Sequence, residues 1–119
     1  MRKWGSISAM ATRLTTEFWV SAYLARLRQA DIPAFVVARG DATAGAVIVK
    51  LNTLDGRARA FQRSYDPSGA RIWAVLSEGS DSEVEASLSR QRGFDPDLWI
   101  VEVEDRAGRH LLGEDGLSE

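Results

Sequence analysis

The stretch from Ala46 to Leu76, "AVIVKLNTLDGRARAFQRSYDPSGARIWAVL", decides the fold. It holds three strand-like runs, 46–52, 57–65 and 71–76, separated by two turn signals. Asp55-Gly56 is the two-residue hairpin signal, because both types tolerate the positive φ that matches strand twist. Asp66-Pro67-Ser68-Gly69 has type I turn chemistry, with Asp first, Pro second and Gly last. The runs therefore read as an antiparallel meander.

A tight Asp55-Gly56 turn predicts the register. Leu51 opposes Ala60, Val49 opposes Gln62 and Lys50 opposes Phe61, while the second turn sets Gln62 against Trp73 and Ala60 against Val75. Side chains alternate between faces along a strand. One face then collects Val47, Val49, Leu51, Ala58, Ala60, Trp73 and Val75. This is the expected core face, with two alanines making room for the Trp73 ring. The other collects Ile48, Lys50, Arg57, Arg59, Phe61 and Arg63.

Working outward, "TTEFWVSAYLARLRQA" (15–30) predicts a helix. Thr15 supplies an N-cap oxygen and Glu17 suits the positive helix end. Val20, Tyr23, Leu24 and Leu27 recur at helical spacing, and Pro33 bars continuation. "AFVVA" (34–38) reads as a first strand. Residues 80–92 predict a second, surface helix, opened by the capping box Ser80 and Glu83 and closed by Gly93 as a left-handed cap. Residues 98–104 form a last strand with Trp99, Val101 and Val103 toward the core, hairpinned through "DRAG" to a short segment 109–112.

The expected fold class is α+β: an antiparallel meander of about five strands with two helices on one sheet face, in the order α-β-β-β-β-α-β, with a final short strand in addition. Residues 14–112 form one domain. Residues 1–13 and 113–119 are expected to be flexible tails.

The 119 residues suit one domain with a real core, and 45% apolar residues with four tryptophans support a globular chain. With no cysteine, disulfides, thiolate nucleophiles and Cys-ligated metals are excluded. No apolar run reaches the roughly 18 residues of a membrane span. Ser6 and Ser8 interrupt the apolar region a signal peptide would need, so the cytoplasm is the expected compartment. The net charge of −2 conceals an asymmetry. Residues 1–75 carry eleven Lys/Arg against five Asp/Glu, and residues 76–119 carry four Arg against twelve Asp/Glu.

Three patterns invite a chemical reading. Lys50, Arg57, Arg59, Phe61 and Arg63 would make a basic face with an aromatic, the composition of nucleic-acid-binding sheets. Its plainer reading is a solvated face, balanced by Glu102 and Glu104 if the last strand joins the sheet. "FDPDLWIVEVEDRAGRH" (94–110) gathers five carboxylates and the sole histidine. The strand pattern scatters them, with Asp95, Asp97 and Asp105 in turns and Glu102 and Glu104 on an outer face. His110 points toward the core beside Val101 and Leu112. No catalytic or metal site and no cofactor is expected. "GDATAG" (40–45) has phosphate-loop glycine spacing, but Ala46-Val47 stand where Lys-Ser/Thr belongs, and a strand follows instead of a helix. A flexible inter-strand loop is expected there. Thr43, Ser64 and Ser68 have no activating base signature nearby.

Read whole, the chain resembles the family called domain of unknown function 1491, small proteins found mainly in alphaproteobacteria. "EFWVSAYLARL", "GDATAGAVIVKLNTLDG" and "FDPDLWIVEVEDRAGRH" carry the likeness. The resemblance implies a compact bacterial domain and brings no activity, ligand or catalytic residue with it. The expected function is a non-enzymatic protein-interaction or self-associating module, using the first strand or the last as an unpaired edge. Trp19 would extend its apolar contact surface. The alternative is nucleic-acid binding through the basic face. A small enzyme using His110 and Glu104 comes third.

Overall fold

The computed structural model describes residues 14–118. The tail expected over 1–13 lies outside the described residues. The elements run α1 (Thr16–Gln29), β1 (Ala34–Ala38), β2 (Val47–Asn52), β3 (Arg57–Tyr65), β4 (Arg71–Ser80), α2 (Asp81–Phe94) and β5 (Trp99–Glu104). Thr15 caps α1 through the Phe18 amide. Ser80 and Glu83 form the reciprocal capping box of α2.

The five strands lie in the order β1-β5-β2-β3-β4. The β2-β3-β4 meander is present. The wholly antiparallel sheet is not, because β5 pairs parallel to β2 and antiparallel to β1. The reason is α2. A parallel return requires a long crossover, and this 14-residue helix supplies it. β5 therefore enters the middle of the sheet, where its run Leu98–Val101 is buried, as a strand covered on both faces requires.

Both hairpins also differ from the predicted register. Thr53 N donates to Arg57 O at 3.3 Å and Asp66 N to Ala70 O at 2.9 Å. The loops are thus Leu54–Gly56 and Pro67–Gly69, each one residue longer than a two-residue turn, with Gly56 and Gly69 at φ +86° and +89°. One extra residue inverts a strand's faces. The first loop inverts β3 against β2, and the second restores β4. Val49 consequently opposes Phe61, Lys50 opposes Ala60, and Arg63 opposes Trp73.

The expected core face is corrected accordingly: Ala58 and Ala60 leave it and Phe61 joins it. On one side Val49, Leu51, Phe61, Trp99, Val101 and Val103 pack under Val20, Tyr23 and Leu27 of α1. On the other, Ile48, Ala58, Ala60 and Ile100 pack under Val84 and Leu88 of α2. The helices cover opposite faces, not one. The alanines admit α2 close to the sheet.

No strand follows β5 among the described residues. "DRAG" does turn, with Gly108 N on Asp105 O at 3.0 Å, but the chain then crosses the α1 face as successive turns. Residues 113–118, expected as a tail, return to the core. Leu117 is buried there, and its carbonyl accepts from Trp73 Nε1 at 3.1 Å. Gly93 is no cap, because α2 continues through Phe94 and Asp95 N still bonds Gln91 O. Asp95 is the cap, and Arg92 ties this end of the helix to the sheet, donating to Leu98 O and Arg39 O. No described helix is long and apolar enough to cross a membrane.

Candidate functional site

The inversion of β3 divides the basic residues. Lys50 faces α2, whereas Arg57, Arg59, Phe61 and Arg63 alternate onto the α1 face. Lys50 is buried, with its side chain 3% exposed. Its ammonium meets Asp81 Oδ1 at 2.7 Å, Glu85 Oε2 at 2.5 Å and Glu102 Oε1 at 3.3 Å. An unpaired ammonium could not be buried at tolerable cost. Desolvation alone would lower its pKa, but the bonds to Asp81 and Glu85 and the Glu102 charge outweigh it and hold the group above its ordinary range. Lys50 is a permanent cation that ties α2 to β2 and β5, and has no nucleophilic form near neutrality.

The single basic-aromatic face is therefore absent. Phe61, 5% exposed, lies beneath the turns after β5 and packs on the His110 ring at 4.7 Å. A base could not stack on it there. Arg63 lies over Trp73 at 4.4 Å and donates to the Leu117 and Ser118 carbonyls. Arg59 lies 3.5 Å from Glu78. Glu102 does balance a predicted cation, Lys50, its direct partner across β5 and β2.

His110 and Glu104 do not meet. Glu104 shares strand parity with Glu102 on the α2 side, while His110 lies against Phe61 on the α1 side. His110 Nδ1 accepts from Leu112 N at 3.0 Å. Burial and then the Arg59 charge push its pKa down. It is a neutral packed imidazole. Arg109, in the segment after β5, pairs with Asp105 at 3.0 Å. Among the described residues, no three His, Asp or Glu gather in a metal-holding group.

The "GDATAG" loop is held firmly. Asp41 accepts from the Thr43 and Ala44 amides, and its own amide donates to Asp97 O at 3.0 Å. Trp99 Nε1 donates to Asp41 O at 2.8 Å. The loop's Thr43 and Ala42 carbonyls accept from Thr16 and Glu17, two first-turn amides of α1. A Cβ on Gly40 would stand 2.0 Å from Asp97 O, and one on Gly45 2.3 Å. The paired glycines permit backbone contact with the turn before β5. They serve docking within the chain.

β1 is an edge strand, bonded only to β5. Its sequence, Ala34-Phe35-Val36-Val37-Ala38, carries no charge, and Phe35 and Val37 are half exposed. Beside it, α1 and β1 border a groove of about 400 Å³ lined by Phe18, Leu24, Val36, Arg39 and Trp99. Phe18 is exposed. Trp19, by contrast, turns inward and stacks between Tyr23 and Trp73, at 4.9 and 5.4 Å. Of the two edges expected from the sequence, the first strand is open and the last is not, because the α2 crossover places β5 between β1 and β2.

These features define a small mixed-sheet α+β domain, with a helix on each face and an apolar open edge. The chain belongs to the DUF1491 family of proteins of unknown function, whose model matches residues 14–113. It is similar to the crystal structure of a DUF1491 family protein from Caulobacter crescentus, with 39% identity and a TM-score of 0.76 over 85% of this chain and 96% of that one. It is also similar to the solution structure of protein Atu0922 from A. tumefaciens, with 32% identity and a TM-score of 0.66 over 77% and 86% of the two chains. No curated protein matches the chain significantly.

Proposed function

We propose that this domain is a protein-interaction module whose partner is a second copy of itself, joined edge to edge through β1. The observation that carries the reading is the uncharged, unpaired β1 edge with half-exposed Phe35 and Val37. An open strand edge presents unpaired backbone groups, and soluble proteins commonly guard it with charge, proline or a covering element. β1 has Pro33 before it, Arg39 after it and a bulge at Val37, which leaves Ala34–Val36 as its regular open stretch.

The backbone bonds also select a register. Glu104 N donates to Pro33 O, so by antiparallel alternation Phe35 bonds toward β5 and Ala34 and Val36 turn their backbone groups outward. Two copies related by a two-fold axis can then pair Ala34 with Val36 and bring Phe35 against Phe35. A two-fold contact of this kind uses the same patch on both copies.

Sedimentation equilibrium at about micromolar to millimolar concentration tests this. Wild type should approach twice 13.1 kDa, and Val36→Pro, which removes an outward amide, should stay monomeric. A wild-type monomer throughout that range would refute the proposal.

A further inference from the structure

We propose that Arg57, Arg59 and Arg106 form a binding site for a phosphate group. This site is independent of the β1 edge. The parallel pairing of β2 with β5 creates it, because both strands end together: Asn52 is level with Glu104, and Asp105 N donates to Asn52 O at 3.1 Å. The β2–β3 hairpin and the turn after β5 thereby meet, although they lie far apart in sequence. Arg57 and Arg59 share a face of β3. Arg106 arrives on the turn, with Nη1 3.3 Å from Leu54 O. The three border a concavity of about 290 Å³, together with Thr53, Glu78 and Gly108.

Three guanidinium groups here face two carboxylates that line the concavity, Asp55 and Glu78, while Glu83, which also feels the Arg57 charge, is engaged by the Ser80 amide of its capping box. Asp55 is already engaged by its own turn, accepting from Thr53 Oγ1 at 2.6 Å and Arg57 N at 3.2 Å. Glu78 reaches Arg59 at 3.5 Å, a long contact between two half-exposed side chains that an incoming anion can displace. No described carboxylate lies within ion-pair distance of Arg57 or Arg106. Planar guanidinium forks match phosphate oxygens in pairs, and three such side chains border this one concavity. The concavity lies at the small end of ligand pockets, a size that suits a phosphate ester or diphosphate. The depressed His110 pKa, due first to burial and then to Arg59, accords with a positive field at this end of the sheet.

The phosphate can belong to a free small molecule or to a nucleic-acid backbone, and two probes separate these. Amide NMR shifts of the full chain are followed during titration with sodium pyrophosphate, then with single-stranded oligonucleotides of increasing length. Pyrophosphate should produce saturable shifts over Thr53–Arg59 and Arg106–Gly108. Arg57→Ala with Arg106→Ala should weaken binding by about tenfold or more, while leaving amide shifts over β1 and α1, far from the hairpin, unchanged as evidence of folding. Affinity that rises with oligonucleotide length, and is lost in the same double variant, assigns the phosphate to nucleic acid. Absence of saturable shifts there with either probe, or equal binding by the folded double variant, overturns the site.

Discussion

Val49 and Phe61 stand directly opposite each other across β2 and β3, both buried on the α1 face. That pairing turns Lys50 toward α2 and gives it three carboxylates. It also sends Arg57, Arg59 and Arg63 to the face that carries the turns after β5. The charge layout of the domain follows from this one alignment.

Lys50→Met should therefore lower unfolding stability by about 2–3 kcal/mol, although it nearly preserves volume. The loss falls below that of a fully enclosed pair because Asp81 and Glu85 remain partly solvated, at 44% and 61% exposure. Urea unfolding near pH 7 measures it. Glu102→Gln in the Lys50→Met background should recover part of the loss, since it removes the least exposed of the stranded charges. Simple additivity of the two losses would count against the cluster.

The Lys50 contribution has a defined alkaline limit. Its folded pKa is raised above the ordinary 10.5, so the stabilisation is complete below that value and declines as pH rises beyond it. The wild-type advantage over Lys50→Met should stay constant from pH 7 to about 10. An advantage that disappears near pH 8 would mean that the ammonium is less firmly held.

His110 works in the opposite direction. Its folded pKa lies below the ordinary 6.5, so the unfolded chain takes up the proton first as pH falls. Stability should be full above about pH 6.5 and fall on acidification toward the depressed value. In His110→Gln that part of the slope should be flatter between about pH 7 and 5. Asp55, Asp66, Glu83 and Asp105 have pKa values lowered mainly by hydrogen bonds and add losses at lower pH. Comparing the two proteins over the same pH range isolates the imidazole.

Two glycines should answer the same substitution with opposite signs. Gly40→Ala places a methyl group on the Asp97 carbonyl and should cost about 2–3 kcal/mol. Gly93→Ala lies in α2, has open space around it, and should stabilise by up to about 1 kcal/mol. Thermal melting of both variants decides it. Equal and small effects would show that the loop yields at Gly40.

Much of the local structure was legible in the sequence. Thr15, Ser80 and Glu83 announced both helix starts, and the runs of β-branched and aromatic residues announced the strands. The register was not legible, because Asp55-Gly56 and Pro67–Gly69 each serve in loops one residue longer than the tightest turn. The two slips cancel, so Trp73 and Val49 kept their shared face while every residue of β3 changed sides. Strand order escaped too. Nothing local in "LWIVEVE" says that it slots beside "AVIVKLN", although its near-continuous apolar run is what a strand covered on both faces requires. The concavity of the proposed arginine site escaped for the same reason, since Arg106 comes to border it with Arg57 and Arg59 only through that parallel pairing.

Disulfide trapping tests the β1-edge dimer most directly, because the chain has no cysteine of its own. In the proposed register Phe35 faces its own copy across a non-hydrogen-bonded pair, where Cα atoms approach within about 4.5 Å, inside the range a disulfide spans. Phe35→Cys should therefore oxidise rapidly to a covalent dimer at about micromolar concentration, and Val36→Pro in the same chain should abolish the rapid phase. Val75→Cys, half exposed on β4, supplies the control for random collision. Equal oxidation rates for Phe35→Cys and Val75→Cys would contradict the account.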